Sequence, residues 1–166
     1  MNTKTNYDIK VLFSDIDGTL TDGSLFYSSI GETIKVFHVK DGHGIKEWMK
    51  AGNIFGVISA RGARATEIRM EELKVKHCFL NISDKKKFLD QWLIDNKLEW
   101  SNLAYIGDDL NDMEVLKEAA ISGIPADASD GIIKENIDYI CRNNGGKGAV
   151  REFIDFLLDN REIAHR

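Results

Sequence analysis

The chain has 166 residues, 43% of them hydrophobic and 30% charged, a composition that suits a globular domain with a real core and excludes a disordered or fibrous chain. Its 22 Lys and Arg against 27 Asp and Glu leave a formal net charge of -5 without a basic tract, which argues against nucleic acid as a partner. No apolar run reaches bilayer-spanning length and the stretch from Met1 to Lys10 is polar, so no membrane association and a cytoplasmic location are expected, with one domain over residues 1–166.

In chain order, the first element is the stretch "VLFSDIDGTLTDG", Val11 to Gly23. A run of β-formers from Ile9 to Ser14 predicts a strand that ends on two carboxylates, Asp15 and Asp17, followed by a glycine-rich loop. Next, Ser24 to Val39 has two β-rich arms around Ile30, Gly31 and Glu32 and reads as a hairpin. Helical spacing of apolar residues follows over Gly44 to Ala51, Ala63 to Leu73, Lys86 to Asn96 and Asp112 to Ala119. Short apolar runs at Ile54 to Ile58, His77 to Leu80, Leu103 to Ile106 and Ala120 to Ile124 alternate with them. This β-α-β-α order predicts an α/β fold with a doubly wound parallel sheet, helices on both faces and a site at the carboxyl ends of the strands. Cys78 and Cys141 form no CxxC pair and are expected to be reduced, structural thiols. His38, His43, His77 and His165 show no metal-like spacing and are taken as structural or surface groups.

The paired carboxylates have a chemical reading. Asp15, with an ordinary carboxylate pKa of about 3.9, is ionised at neutral pH and can attack phosphorus to give an aspartyl phosphate. Asp17, two residues on along an extended backbone, points to the same side and can protonate the leaving oxygen and then deprotonate water. Two carboxylates would repel a phosphate dianion, so a hard, oxygen-seeking cation is needed, and Mg²⁺ is the natural one. Further acidic ligands stand at another strand end in "YIGDDLNDMEVL", where Asp108, Asp109 and Asp112 follow Ile106. Ser59, after "FGVIS", is placed to bond a phosphoryl oxygen, and Lys85, after "FLNISD", to neutralise developing charge. Taken alone, each has a plainer reading: Asp17-Gly18 as a turn, Asp112 as a charge at a helix N-terminus, Ser59 as a turn residue, and Lys85 as one of three solvated lysines.

Together these residues resemble the haloacid dehalogenase superfamily of phosphotransferases. Its four motifs match Asp15-Ile16-Asp17-Gly18-Thr19, Ser59, Lys85 and Gly107-Asp108-Asp109-Leu110-Asn111-Asp112 in the expected order. The resemblance implies catalytic roles for Asp15, Asp17, Ser59 and Lys85, and one Mg²⁺ held by Asp15, Asp108 and the backbone carbonyl of Asp17. Asp15 to Ser59 spans 44 residues and Ser59 to Lys85 spans 26, which leaves no room for a large cap domain; only the hairpin, about 24–39, is inserted.

Within that superfamily the chain resembles the capless family of 3-deoxy-D-manno-octulosonate 8-phosphate phosphatases. The matches are "DGTLTDG" with its hairpin, "KDGHGI" at Lys40 to Ile45, "GDDLND", and "GGKGAVREFIDFLL" at Gly145 to Leu158. The resemblance implies a homotetramer built through the hairpins and a small-molecule sugar-acid phosphate as substrate. It further implies that tail residues reach the site and that Gly145, Gly146 and Lys147 form a mobile flap; from the residues alone this is equally a Gly-rich connector before a last amphipathic helix. "ISAR" stands where the family often has Thr-Gly-Arg, with Arg61 retained; because relatives that hydrolyse nine-carbon acid 9-phosphates can be acidic at this position, the resemblance implies the eight-carbon acid, whose carboxylate a guanidinium can pair with. Two other classes stay open. One is a receiver domain, which places an acidic pair before helix one and its lone phospho-acceptor on a later strand, whereas here the Asp-x-Asp of Asp15 and Asp17 comes first. The other is a non-catalytic oligomerisation module related to sialate cytidylyltransferases, against which the intact Asp15, Asp17, Ser59, Lys85 and Asp108 speak.

Overall fold

A computed structural model of the chain describes residues 8–133 and 135–164; His165 and the polar stretch before Asp8 lie outside them. Strand β1 (Val11–Ser14) leads to the hairpin of β2 (Phe26–Ser28) and β3 (Gly31–Ile34). Helix α1 (Val39–Lys50), β4 (Ile54–Ile58), α2 (Arg64–Leu73), β5 (His77–Phe79) and α3 (Lys85–Asp95) follow. The second half comprises β6 (Leu103–Ile106), α4 (Met113–Glu118), β7 (Ile121–Ile124), α5 (Asp130–Ile133), β8 (Tyr139–Ile140) and α6 (Ala149–Ala164). Six strands form one parallel sheet in the order β5-β4-β1-β6-β7-β8, and the hairpin is a separate two-stranded sheet. Among the described residues the hairpin is the one sizeable insertion between β1 and α1, and no cap domain is present.

The alternation of side chains along the strands builds the two layers of core. Leu12, Ala104 and Ile106 face one side with Trp48 of α1, Met70 of α2 and Phe153 of α6. Val11, Phe13, Leu103 and Tyr105 face the other with Leu89 and Trp92 of α3 and Val115 of α4. Each fully buried large side chain of this kind contributes roughly 1.5–3 kcal/mol. Close fit matters as much as area: a Cβ on Gly56 of β4 would stand 2.3 Å from the Phe13 ring on the neighbouring strand.

Two boundaries differ from the periodicity. Helix α1 begins at Val39, five residues before the expected Gly44, because "KDGHG" is helical. Its glycines are there for contact. A Cβ on Gly42 would stand 2.4 Å from Arg69 Nη2, and one on Gly44 2.7 Å from Arg151 Cδ, so α2 and α6 pack close to α1. Helix α2 starts at Arg64, which leaves Arg61 three residues earlier in the loop after β4.

Because β1 connects toward β4 while its other neighbour, β6, connects toward β7, adjacent loops part company between β1 and β6. In open α/β sheets this switch point is the crevice where ligands bind. Asp15 leaves β1 there and Gly107-Asp108 leave β6 beside it, with Asp15 N–H donating to the Ile106 carbonyl at 2.9 Å.

Candidate active site

Four side chains from three segments converge at that crevice: Asp15 after β1, Lys85 at the start of α3, and Asp108 and Asp112 on the turn between β6 and α4. Lys85, the first residue of α3, donates from Nζ to Asp15 Oδ1 at 2.6 Å and to Asp112 Oδ1 at 2.7 Å, with its side chain 1% exposed. Asp84 fixes the start of α3 by accepting from Lys87 N–H at 2.9 Å, which aims Lys85 inward and leaves the rest of the "KKK" run outside. Asp112 is wholly buried; besides Lys85 its Oδ1 accepts from Tyr105 OH at 2.5 Å, and its Oδ2 accepts from Asp108 N–H at 3.1 Å. Asp108 accepts from Thr19 Oγ1 at 3.0 Å. A Cβ on Gly18 would stand 2.0 Å from Asp108 Oδ2, so only glycine lets the β1 loop close over this carboxylate.

Carboxylate oxygens of Asp15, Asp108 and Asp112 all lie within 4.8 Å of one another, and the buried Lys85 ammonium bonds two of the three. The charges show the imbalance. Burial, then the charge of Asp112, pushes the Asp15 carboxyl well above its ordinary range. Burial, then again Asp112, pushes Asp108 up to about 6. Burial alone would lower the Lys85 pKa, but Asp15 and Asp112 outweigh it and raise it. The Asp15 carboxyl therefore lies above the ordinary value expected from the sequence, because carboxylates crowd one ammonium in a desolvated site. Hard oxygen donors with a deficit of positive charge fit Mg²⁺.

The other sequence-derived residues surround this centre. Ser59 is buried at the end of β4, its Oγ accepting from Arg61 N–H at 3.1 Å. The Asp17 carboxylate is turned toward the hairpin side: Oδ1 pairs with Lys35 Nζ, and Oδ2 lies 3.7 Å from Arg61 Nε. Arg61 Nη2 also donates to Tyr27 OH of β2 at 3.1 Å. Asp109 is exposed and accepts from Leu110 N–H at 2.8 Å, opening the turn that precedes α4. Gly145 and Gly146 are buried against the loop after β1. Gly146 N–H donates to the Thr19 carbonyl at 2.9 Å and Gly145 N–H to Asp127 Oδ1 at 2.8 Å. Lys147 is exposed, 3.9 Å from Asp22.

Thr19, Tyr105 and Lys35 were not singled out from the sequence. Thr19 stood inside a motif read for its aspartates, and Tyr105 passed for an apolar strand residue. Lys35 carried a usable signal: it interrupts Ile34 and Val36 at the period of a strand, on the opposite face. His43 is exposed and His77 packs edge-on against Trp92 at 5.2 Å, as expected of surface and structural histidines. Cys78 and Cys141 are both unpaired.

The haloacid dehalogenase-like hydrolase family profile matches residues 80–154. The 3-deoxy-D-manno-octulosonate 8-phosphate phosphatase KdsC of Escherichia coli K12 is 36% identical over 151 residues, 91% of this chain and 80% of that protein. The protein of the same name from Haemophilus influenzae is 37% identical, covering 91% and 83%. Among solved structures, the cobalt-bound phosphatase of Haemophilus influenzae superposes with a TM-score of 0.89 at 36% identity, over 94% of this chain and 91% of that one. The Moraxella catarrhalis phosphatase, in complex with magnesium, phosphate and KDO, gives 0.89 at 34% identity, over 95% and 90%. With the acidic crevice at the switch point of a capless parallel sheet, these likenesses show that the chain belongs to the 3-deoxy-D-manno-octulosonate 8-phosphate phosphatase family of haloacid dehalogenase-like hydrolases.

Proposed function

We propose that this chain, as one phosphatase domain, hydrolyses 3-deoxy-D-manno-octulosonate 8-phosphate to the free sugar acid and phosphate, with Mg²⁺ as its cofactor, in the supply of a lipopolysaccharide precursor. The observation that carries the reading is Lys85 bridging Asp15 and Asp112 beside Asp108, a nucleophile, a buried cation and an acidic cluster at the sheet's switch point.

Asp15 attacks phosphorus in line with the ester oxygen, forming the aspartyl phosphate as the P–O ester bond breaks. Asp17 delivers a proton to the departing sugar oxygen, then takes one from the water that hydrolyses the intermediate. Ser59 donates to a phosphoryl oxygen, and Lys85 holds the Asp15 carboxylate and the charge growing beside it. Asp15, Asp108 and the Asp17 carbonyl would hold Mg²⁺, which would neutralise the phosphate's charge when bound. Asp112 serves the site from behind, orienting Lys85 and, through the Asp108 N–H, the loop that carries Asp108.

Arg61 at the mouth, 43% exposed, suits the carboxylate of the eight-carbon acid. Gly145 and Gly146 shape the substrate loop from behind, with Lys147 at its edge. The enzyme works as a cytoplasmic homotetramer, a reading supported by the apolar side chains that the hairpin leaves exposed: Leu25, Phe26, Ile30, Ile34 and Val36. The nine-carbon acid 9-phosphate is the alternative substrate. Phosphate release from eight- and nine-carbon 2-keto-3-deoxy acid phosphates, with and without Mg²⁺, tests the proposal. Preference for the nine-carbon ester would reassign the substrate, and no release from either would leave a non-catalytic module.

A further inference from the structure

Lys35 follows β3 directly and lies between Ile34 and Val36, which are 53% and 52% exposed, yet its own side chain is 2% exposed. Strand alternation turns the two apolar neighbours outward and the ammonium inward. Its long stem would lose little by reaching water, and burying an ammonium is unfavourable unless it is paired. It is paired: Nζ bonds Oδ1 of Asp17. The second oxygen of Asp17 faces Arg61 at 3.7 Å, and Arg61 is bonded in turn by Tyr27 of the other hairpin strand. The hairpin thus reaches the Asp17 carboxylate by two routes, one from each of its arms.

We infer that Lys35 is a positioning residue for phosphoryl transfer, holding the Asp17 carboxylate in the orientation from which it serves the leaving oxygen. The inference rests on the reading of Asp17 as acid and base. It gives the hairpin a part in the chemistry of its own subunit, distinct from any part in assembly. A side chain with two soft torsions on a glycine-bordered loop needs such a restraint, and a misplacement of about 1 Å at a catalytic group can cost about 100-fold in rate.

The test compares two leaving groups in the full-length protein with Mg²⁺, under single-turnover conditions. An alkyl ester, 3-deoxy-D-manno-octulosonate 8-phosphate, needs a proton on its departing oxygen, whereas 4-nitrophenyl phosphate releases a stable anion without one. Lys35→Met should slow release of the sugar alcohol from the alkyl ester by about 10–100-fold, with KM little changed, and release of 4-nitrophenolate from the aryl ester by no more than about 3-fold, the leaving group and not phosphate being followed because hydrolysis of the intermediate is common to both. Lys35→Arg, which keeps the cation, should recover most of the loss; should Lys35→Met fold poorly by circular dichroism, Lys35→Gln carries the same comparison. Equal slowing of both esters, a rise in KM alone, or no effect would overturn the inference. Asp17→Asn is the control for the underlying reading. If it slows both esters equally, the acid-base assignment fails and the inference with it. If it shows the leaving-group dependence and the Lys35 variants do not, the inference alone fails.

Discussion

Lys85 Nζ and Asp15 Oδ1 meet at 2.6 Å across 70 residues of sequence, in a site where neither side chain is more than 6% exposed. That contact joins the end of the central strand to the start of α3, so the same pair closes the fold around the crevice and sets its charge.

Asp15→Asn should abolish turnover and leave the fold intact by circular dichroism, since the amide nearly matches the carboxylate in shape but cannot attack phosphorus. Lys85→Met should do more. It leaves Asp15 and Asp112 buried without their cation, so activity should fall at least about 100-fold and unfolding in urea should show a loss of about 3–5 kcal/mol at neutral pH.

The acidic cluster makes stability depend on pH in a definite direction. Asp108 titrates near 6 in the folded chain against an ordinary 3.8, and Asp15 is raised too. Between those values the folded state keeps protons that the unfolded state has released, so in chelator stability should fall as pH rises from about 4 through 6. Mg²⁺ binding opposes this by favouring the ionised carboxylates. The rise in Tm on adding Mg²⁺ should therefore be larger at pH 7 than at pH 5, and chelation should remove activity that Mg²⁺ restores; a Tm shift independent of pH would contradict the charge argument.

Gly145 and Gly146 should tolerate no side chain. A Cβ on Gly145 would lie 1.8 Å from the Gly18 carbonyl oxygen, and one on Gly146 2.5 Å from Asp22 N, with Gly146 at a φ of +64° besides. Gly145→Ala or Gly146→Ala should cost about 1–3 kcal/mol and displace the loop carrying Asp17, seen as a drop in both Tm and kcat. A tail that swings freely over the site would instead absorb the methyl group without loss of Tm.

Arg61→Ala should impair hydrolysis of the acidic sugar phosphate by about 10-fold or more, reflecting a lost charge-assisted contact, and affect a small carboxylate-free phosphate ester much less. Equal losses on the two substrates would place its main effect on Asp17, which its Nε approaches to 3.7 Å.

The hairpin exposes Ile30 at 88% and Ile34 at 53%. Light scattering at micromolar concentration should report a tetramer for the parent chain, and Ile30→Asp with Ile34→Asp should yield a smaller species. A monomeric parent would refute assembly through this surface.

How far the site was legible depends on the kind of signal each residue carries. Asp15, Asp17 and Asp108 stand just past short continuous apolar runs, and a strand end is a local property of the chain. The alternation of strands and helices was legible for the same reason, although the periodicity leaves "KDGH", Lys40 to His43, outside α1: a glycine looks like a helix breaker until the helix that packs against it is known.

Sequence by itself determined that this chain folds as a parallel α/β sheet with carboxylates at its strand ends, because hydrophobic period and turn chemistry act over a few residues. Only the tertiary structure decided what those carboxylates meet. Asp112 passed equally for a helix-end charge until Lys85 and Tyr105 were brought onto it, and Lys35 was an unremarked hairpin residue until its strand was folded back onto Asp17. The physical reason is range: backbone preference is set by neighbours in sequence, whereas desolvation and charge pairing depend on groups tens of residues away that only packing makes adjacent.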